Sequence, residues 1–201
     1  MSENIEKDDP TARRILAAAL RSFGHQGFKG TTMRSVAQAA GVSRPTVYAR
    51  YANKEVLFAA VVKMVNRDAV AAASEALKAD GELSAVLEAV LVAYFGSHHR
   101  QTYSMPHIGA VLEIYEAQAR EVIAQGHLIL RQRLGAFLQH RIDAGEIHPE
   151  LVGAGLDGVL DVLMMAPTGL KRPDGDSVAY ELRLKVLARM VAASLQGDAQ
   201  N

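Results

Sequence analysis

Thr32-Met33-Arg34-Ser35-Val36-Ala37-Gln38-Ala39-Ala40-Gly41-Val42-Ser43-Arg44-Pro45-Thr46-Val47-Tyr48 is the stretch whose spacing decides the fold. Two short helices joined by a tight glycine turn make a helix-turn-helix. Thr31 and Thr32 are cap residues for the first helix, and Met33, Val36, Ala37 and Ala40 share its inner face. Ala37 is small where the two helices cross. Gly41 ends the helix as a residue free to take positive φ. Val36, Val42 and Val47 fill a miniature core. Ser43 caps the second helix and leaves its first amides facing outward, a natural place for phosphate. Arg44, Pro45, Thr46 and Tyr48 then project from the exposed face, as side chains do when a helix enters a major groove.

Working outward, Asp9-Pro10 reads as an N-cap followed by proline at the first helical position. Ile15, Leu16, Ala19, Leu20 and Phe23 make one apolar face behind it, with Gly24 and Gly27 as the stop. Val47 and Tyr51 are four apart and face inward. Asn53 opens a fourth helix through Leu57, Phe58, Val61, Met64 and Val65 toward Leu77, long enough to begin in a head and end in a body. Asp80-Gly81 breaks it. Leu83 to Phe95 is helical, with Gly96-Ser97 as its end, and His98 to Pro106 reads as a loop or a broken helix. Apolar periodicity resumes at Ile108 and runs, with a break near Gln125-Gly126, to Ile142. Gly145 and Pro149 bracket a turn, Leu151 to Met165 is helical, and Pro167 to Gly175 is a loop. A last helix spans Ser177 to Leu195. No strand pattern and no internal repeat is present. The expected fold is all-α with about nine helices, divided into a helix-turn-helix domain over residues 10–55 and a helical body over residues 56–201.

The run from Ala12 to Phe58 resembles the TetR family of bacterial regulators. It carries Phe23, Gly27 and Phe28, then Thr31-Thr32, Val36-Ala37 and Ala40-Gly41-Val42-Ser43. It closes with Thr46-Val47-Tyr48, Tyr51 and Lys54-Glu55-Val56-Leu57-Phe58. About a quarter of the chain is covered, and many spaced positions agree at once. Tyr51 stands where the family more often has Phe. Pro45 and Arg50 lie where the family varies. The resemblance implies a regulator that binds a palindromic operator as a homodimer, most often a repressor, and is released by a small-molecule effector. It implies phosphate contacts from Thr32, Tyr48 and Lys54. A hydroxyl, a phenol and an ammonium at the start of a helix are chemically suited to that task. Arg44 and Thr46 are better placed for bases, Arg through a bidentate bond to guanine. The expected DNA-facing set is Thr31, Thr32, Ser43, Arg44, Pro45, Thr46, Tyr48 and Lys54.

Charge distribution supports a nucleic-acid-binding head. The net charge is zero, yet residues 11–67 hold ten Lys or Arg against one acid, Glu55, while residues 68–201 hold eleven basic and seventeen acidic residues. That asymmetry fits a basic head on a body with another task. Cysteine is absent, which excludes disulfide frameworks and thiolate metal sites. Glu3, Glu6, Asp8 and Asp9 near the start are unlike a secretory signal, and no stretch reaches the ~20 apolar residues of a membrane span. The expectation is a cytoplasmic protein with no membrane partner.

In the body, Leu151, Val152, Leu156, Val159, Leu160 and Leu163 form one broad apolar face, and Leu182, Leu184, Val186, Leu187, Met190 and Val191 another. By the resemblance these last two helices hold the dimer, with Leu156, Leu160, Leu163, Leu187 and Met190 as its candidates. Candidates for a ligand pocket are Tyr94, His98, Met105, Tyr115, Asp161, Met164 and Met165, because Met adapts to irregular shapes and Tyr joins a ring to a polar tip. Asp157 and Asp161, four apart, suit either a cationic ligand or solvent. His98, His99 and His107 raise a metal reading, but zinc sites need three or four ligands at imposed spacing, and no metal or cofactor is expected. No Gly-rich phosphate loop and no Ser nucleophile elbow is present. Two alternatives stay open beside the effector-controlled regulator: a DNA-binding dimer without a small-molecule ligand, and a helical enzyme.

Overall fold

A computed structural model describes residues 9–103, 116–172 and 175–197, and these are helical throughout with no strand. They form two compact units. The first comprises described residues 9–66, 101–103 and 116–122, and the second 67–100, 123–172 and 175–197. No helix among the described residues is long and apolar enough to cross a membrane.

The first unit holds α1 (Pro10–Gly30), α2 (Met33–Ala40), α3 (Arg44–Tyr48) and the start of α4 (Lys54–Ala76). Asp9 caps α1: its Oδ1 accepts from the amides of Thr11 at 2.8 Å and Ala12 at 3.2 Å, and Pro10 needs no such partner. Gly24 does not stop α1. It lies buried within the helix, and the break comes at Gly27, with φ 71° and ψ 174°. Ile15, Leu16, Ala19 and Phe23 of α1 meet Met33, Val36 and Ala37 of α2, Val47 of α3, and Leu57, Phe58 and Val61 of α4 in one core. Phe23 stacks on Phe28 at 5.6 Å and meets Phe58 edge-on at 5.3 Å, geometries in which ring quadrupoles attract. Tyr51 is buried in this core, as its spacing from Val47 requires.

The second unit is built from the remainder of α4, α5 (Leu83–Leu91), α6 (Ser97–Tyr103) up to Arg100, α7 (Glu116–Asp143) from Ile123 onward, α8 (Gly155–Gly169) and α9 (Ser177–Leu195). Its core includes Leu83, Leu87, Val90, Leu91 and Tyr94 with Leu130, Leu134 and Leu138 of α7, Leu163 of α8, and Tyr180, Leu184 and Ala188 of α9. Three helix boundaries in this unit differ from the sequence expectation. Gly96 is not a stop. The chain passes from α5 through a π-helical turn, Val92–Gly96, straight into α6. A Cβ on Gly96 would lie 3.3 Å from Cγ of Glu181, so the glycine permits close approach of α9. The wide turn frees carbonyls, which find side-chain donors: Ser97 Oγ donates to the oxygens of Ala93 at 2.7 Å and Tyr94 at 3.0 Å. Gln125-Gly126 does not break α7. A mid-helix glycine costs only ~1 kcal/mol, and the fully buried Leu130, Leu134 and Leu138 hold the helix in place.

The third difference lies around α8. Leu151 and Val152 belong to a separate 3-10 turn, Pro149–Val152, and Gly153 and Gly155 at φ 69° and 60° place the helix start at Gly155. Its end lies beyond Pro167, whose carbonyl accepts from the buried Tyr180 hydroxyl at 3.0 Å. α9 matches its expected bounds, with Asp176 capping the amides of Val178 and Ala179.

Candidate nucleic-acid interface

The turn between α2 and α3 is set by local chemistry. Thr32 caps α2, its Oγ1 accepting from Ser35 N at 3.0 Å while Ser35 Oγ accepts from Thr32 N at 3.1 Å. That reciprocal box satisfies two amides the helix start leaves open. Gly41 sits at φ 64°, ψ 39° and passes its own amide and that of Val42 back to the end of α2. Arg14 reaches across from α1 and donates through Nη2 to the carbonyl oxygens of Ala40 at 2.7 Å and Gly41 at 3.1 Å. A Cβ on Gly41 would meet that Nη2 at 2.9 Å and push the Arg14 guanidinium aside, but it is the positive φ that favours glycine here. Ser43 caps α3 by accepting from Thr46 N at 3.2 Å, and the two hydroxyls lie 2.7 Å apart.

These contacts leave one face of α3 open. Arg44, Pro45 and Tyr48 are exposed and Thr46 is half-buried, while Val47 is fully buried beneath them. Thr32 and Ser43 are exposed at the two caps. Six of the eight expected DNA-facing residues therefore share the surface around the turn.

Thr31 and Lys54 are placed otherwise. The Thr31 side chain is buried, and its hydroxyl donates to Gly27 O at 2.8 Å. Lys54 Nζ donates to the carbonyl oxygens of Phe28 at 2.6 Å and Thr31 at 3.0 Å and lies 4.3 Å from the centre of the Phe28 ring. The positive φ at Gly27 turns the chain out of α1, and Lys54 satisfies carbonyls exposed by that turn. Its ammonium is a clamp on the α1–α2 connection, a task the phosphate assignment did not foresee.

Arg50 is engaged as well. Its Nε and Nη2 each lie 2.9 Å from Oδ2 of Asp9, and its Nη1 donates to Thr46 O at 3.3 Å. Arg14, Arg50 and Lys54, three of the ten basic residues counted in the head, thus make internal bonds. A count of charges along the sequence therefore overstates the cations that face outward.

The pair gives a pH dependence with a definite sign. The Arg50 hydrogen bond, more than any other influence, holds the Asp9 carboxyl below its ordinary value. The amides of Ala12 and Thr11 add to this, and partial desolvation opposes it. A carboxylate depressed in the folded state stabilises above its ordinary range, and that contribution is lost as pH falls through the folded value. The melting temperature of the wild type is expected to drop toward that of Asp9→Asn as pH falls below ~4. A gap between the two proteins that does not change with pH overturns the assignment.

The other expected sites fall in the second unit or outside the described residues. Met105, His107 and Tyr115 lie outside them. Tyr94 and Met164 are core residues, whereas Met165, the next residue along α8, is 72% exposed. Asp161 is exposed and accepts from Arg131 Nη2 at 2.9 Å, with Asp157 at 3.3 Å from the same atom. Both carboxylates, open in the sequence to a cationic ligand or to solvent, are exposed and face Arg131. His98 and His99 separate: His98 meets Tyr94 at 4.9 Å between ring centres, and His99 meets Tyr180 at 4.1 Å. No group of three potential metal ligands occurs among the described residues.

Of the five dimer candidates, Leu160 and Leu163 are buried in their own unit, Leu156 and Leu187 pack partly against that core, and only Met190 is well exposed, at 66%. The open apolar face was carried by other residues. On α9, Val178 (80% exposed), Leu182 (60%) and Val186 precede Met190 at intervals of four, opposite the buried Tyr180, Leu184, Ala188 and Ala192. α8, which packs on α9, adds Val162 and Met165. A second i, i+4 series was readable in the sequence, but two apolar faces on one helix do not declare which is inner.

Residues 15–61 match the family described as bacterial regulatory proteins, tetR family. The chain is also 30% identical over 177 residues to the HTH-type transcriptional regulator BetI of Agrobacterium fabrum, covering 81% of this chain and 82% of that one. The chain belongs to the TetR family. The HTH-type transcriptional regulator AcrR of Shigella flexneri is 27% identical over 193 residues, covering 88% and 90%. Among solved structures, a transcriptional regulator from Cytophaga hutchinsonii aligns with a TM-score of 0.69 at 17% identity, covering 94% of this chain and all of that one. FadR from Bacillus subtilis, solved in complex with stearoyl-CoA, aligns with a TM-score of 0.56 at 19% identity over 92% and 98%. This TetR-family chain is a DNA-binding transcriptional regulator.

Within that interface, Arg44 is the exposed cation on α3 with no competing internal bond among those described above. Arg44→Ala is expected to relax specificity at one position of each half-site by about 1–3 kcal/mol. Selection of preferred sequences from random DNA with the variant checks this; an unchanged preference moves Arg44 to the phosphates or to solvent.

Proposed function

We propose that the protein is a homodimeric repressor that binds a palindromic operator through α3 of each head and is released by a small-molecule effector bound in the second unit. The observation that carries the DNA reading is the exposed set Thr32, Ser43, Arg44, Pro45, Thr46 and Tyr48 around a turn held by Arg14 and Gly41. The dimer reading is supported by Val178, Leu182, Val186 and Met190, exposed apolar side chains four apart along α9, with Val162 and Met165 exposed on α8, which packs on it. Two-fold symmetry of the protein imposes inverted half-sites about one helical turn, ~34–36 Å, apart or at multiples of it.

Release follows from the same geometry. An effector that binds better to a dimer with differently spaced heads forfeits simultaneous docking, and with it the bivalent advantage. By linkage, operator DNA must then weaken the effector by the same factor, ordinarily ~5–150-fold. Selection from random duplex DNA with the purified full-length chain tests the reading. Enrichment of an inverted repeat is expected; sequences with a single half-site, or no enrichment, refute it.

A further inference from the structure

α3, the helix proposed above to enter the operator, has little of its own to hold it. It is five residues long, and within it only Val47 is buried. A helix that short is not stable by its own hydrogen bonds. One buried anchor fixes where it sits on the core but leaves its tilt to neighbouring contacts.

Two side chains at the start of α1 make those contacts, one on each side of α3. Ahead of it, Arg14 Nη2 donates to the oxygens of Ala40 at 2.7 Å and Gly41 at 3.1 Å. Behind it, Oδ2 of Asp9 lies 2.9 Å from both Nε and Nη2 of Arg50, 41 residues away in sequence. Arg50 then passes the contact into α3 itself, with Nη1 donating to Thr46 O at 3.3 Å. The other oxygen of the same carboxylate, Oδ1, accepts from the Thr11 and Ala12 amides. Asp9 therefore joins the first turn of α1 to α3 through one carboxylate and one guanidinium.

The energy of this pair is small and its geometry is specific. About a third of each side chain reaches solvent, and ion pairs at such sites are screened and add little to a fold. The guanidinium, however, is planar and rigid, with one edge on a carboxylate and another nitrogen on a helix carbonyl. A contact of fixed shape and low energy governs the direction of α3 more than the folding of the head. Base reading is sensitive to that direction, because a bidentate bond to guanine needs both donors in place. Attraction to phosphate is far less directional.

We propose that Asp9, acting through Arg50, is a positioning residue for operator recognition: the tether sets the angle at which α3 presents Arg44 and Thr46 to the bases. The inference rests on the reading of α3 as the operator-facing helix. In the complex the Arg50 guanidinium stays on Asp9 and Thr46 O and does not move to a phosphate.

Asp9→Asn isolates the tether, since asparagine still offers a cap oxygen to α1 but no charge to Arg50. Two duplexes serve as probes: the sequence that the wild type enriches from random DNA, and a scrambled sequence of the same length. Their affinities for the full-length protein are measured by fluorescence anisotropy over a range of salt. Asp9→Asn is expected to lose about tenfold in preference for the enriched duplex, within the range of one base contact. Its affinity for the scrambled duplex and its salt slope are expected to stay as in the wild type, and its melt to fall by only a few degrees. Arg50→Gln is expected to lose a similar preference, and the double variant no more than either alone, because both break one contact. Undiminished preference in Asp9→Asn overturns the inference, as do losses that multiply in the double variant. A salt slope flattened by ~0.9 per head in Arg50→Gln alone marks a phosphate contact and overturns it too. A collapsed melt in both single variants makes the pair structural and has the same consequence. If the wild type enriches no sequence, the operator reading itself fails; an enriched sequence bound equally by all variants sinks the tether alone.

Discussion

Leu182→Glu combined with Met190→Glu is expected to convert the protein to a folded monomer and to weaken operator binding by roughly 10²–10⁴-fold. Both side chains stand out of α9 into solvent, at 60% and 66% exposure, so each glutamate in a monomer is hydrated and costs the fold little. In a symmetric dimer built on this face, the same glutamates meet their own symmetry mates across an apolar contact. Like charges there are both desolvated and mutually repelled. The heads remain able to recognise a half-site, and the loss is the second, intramolecular docking event. Leu160→Glu is the contrasting case. That side chain is buried in its own unit, so a charge there has no solvent to turn to and is expected to cost on the order of 4–5 kcal/mol of stability. Sedimentation and thermal melting distinguish the two outcomes. A doubly substituted protein that still sediments as a dimer places the interface elsewhere.

The contrast shows what could be read from the chain in advance. Where one residue decides a local conformation, the reading agrees with the structure: Gly41 at a left-handed helix end, Ser43 and Thr32 as caps, and Asp9-Pro10 at the start of α1. These depend on backbone groups within four residues, which the sequence lists side by side. The differences arise where the partner is remote. Gly96 reads as a stop until Glu181 of α9 is seen against it. Gly126 reads as a break until the leucines that bury α7 outweigh it. Leu160 and Met190 look alike in an apolar pattern, and only the packed unit separates inward from outward.

Lys54 is the sharpest instance, and Lys54→Met is expected to lower the stability of the head by about 2 kcal/mol, the range for hydrogen bonds made by a charged group. The acceptors, Phe28 O and Thr31 O, lie 26 and 23 residues away in sequence and belong to the main chain, so no pattern of side chains announces them. Methionine keeps most of the length and apolar stem of lysine and can still cover the Phe28 ring, but it donates nothing. The carbonyls exposed by the break at Gly27 then lose their donor, and the α1–α2 connection loosens with the DNA-facing turn that follows it. A phosphate contact predicts a different signature: loss of one released counterion, seen as a change of ~0.9 in the slope of log affinity against log salt, with melting little altered. Measuring both quantities on the full-length protein separates the roles. A lowered melting temperature with an unchanged salt slope supports the clamp. A slope reduced by nearly one unit with melting intact returns Lys54 to the phosphates and leaves the Gly27 turn to be held by Thr31, whose amide and hydroxyl already bond the Gly27 carbonyl at 3.2 and 2.8 Å.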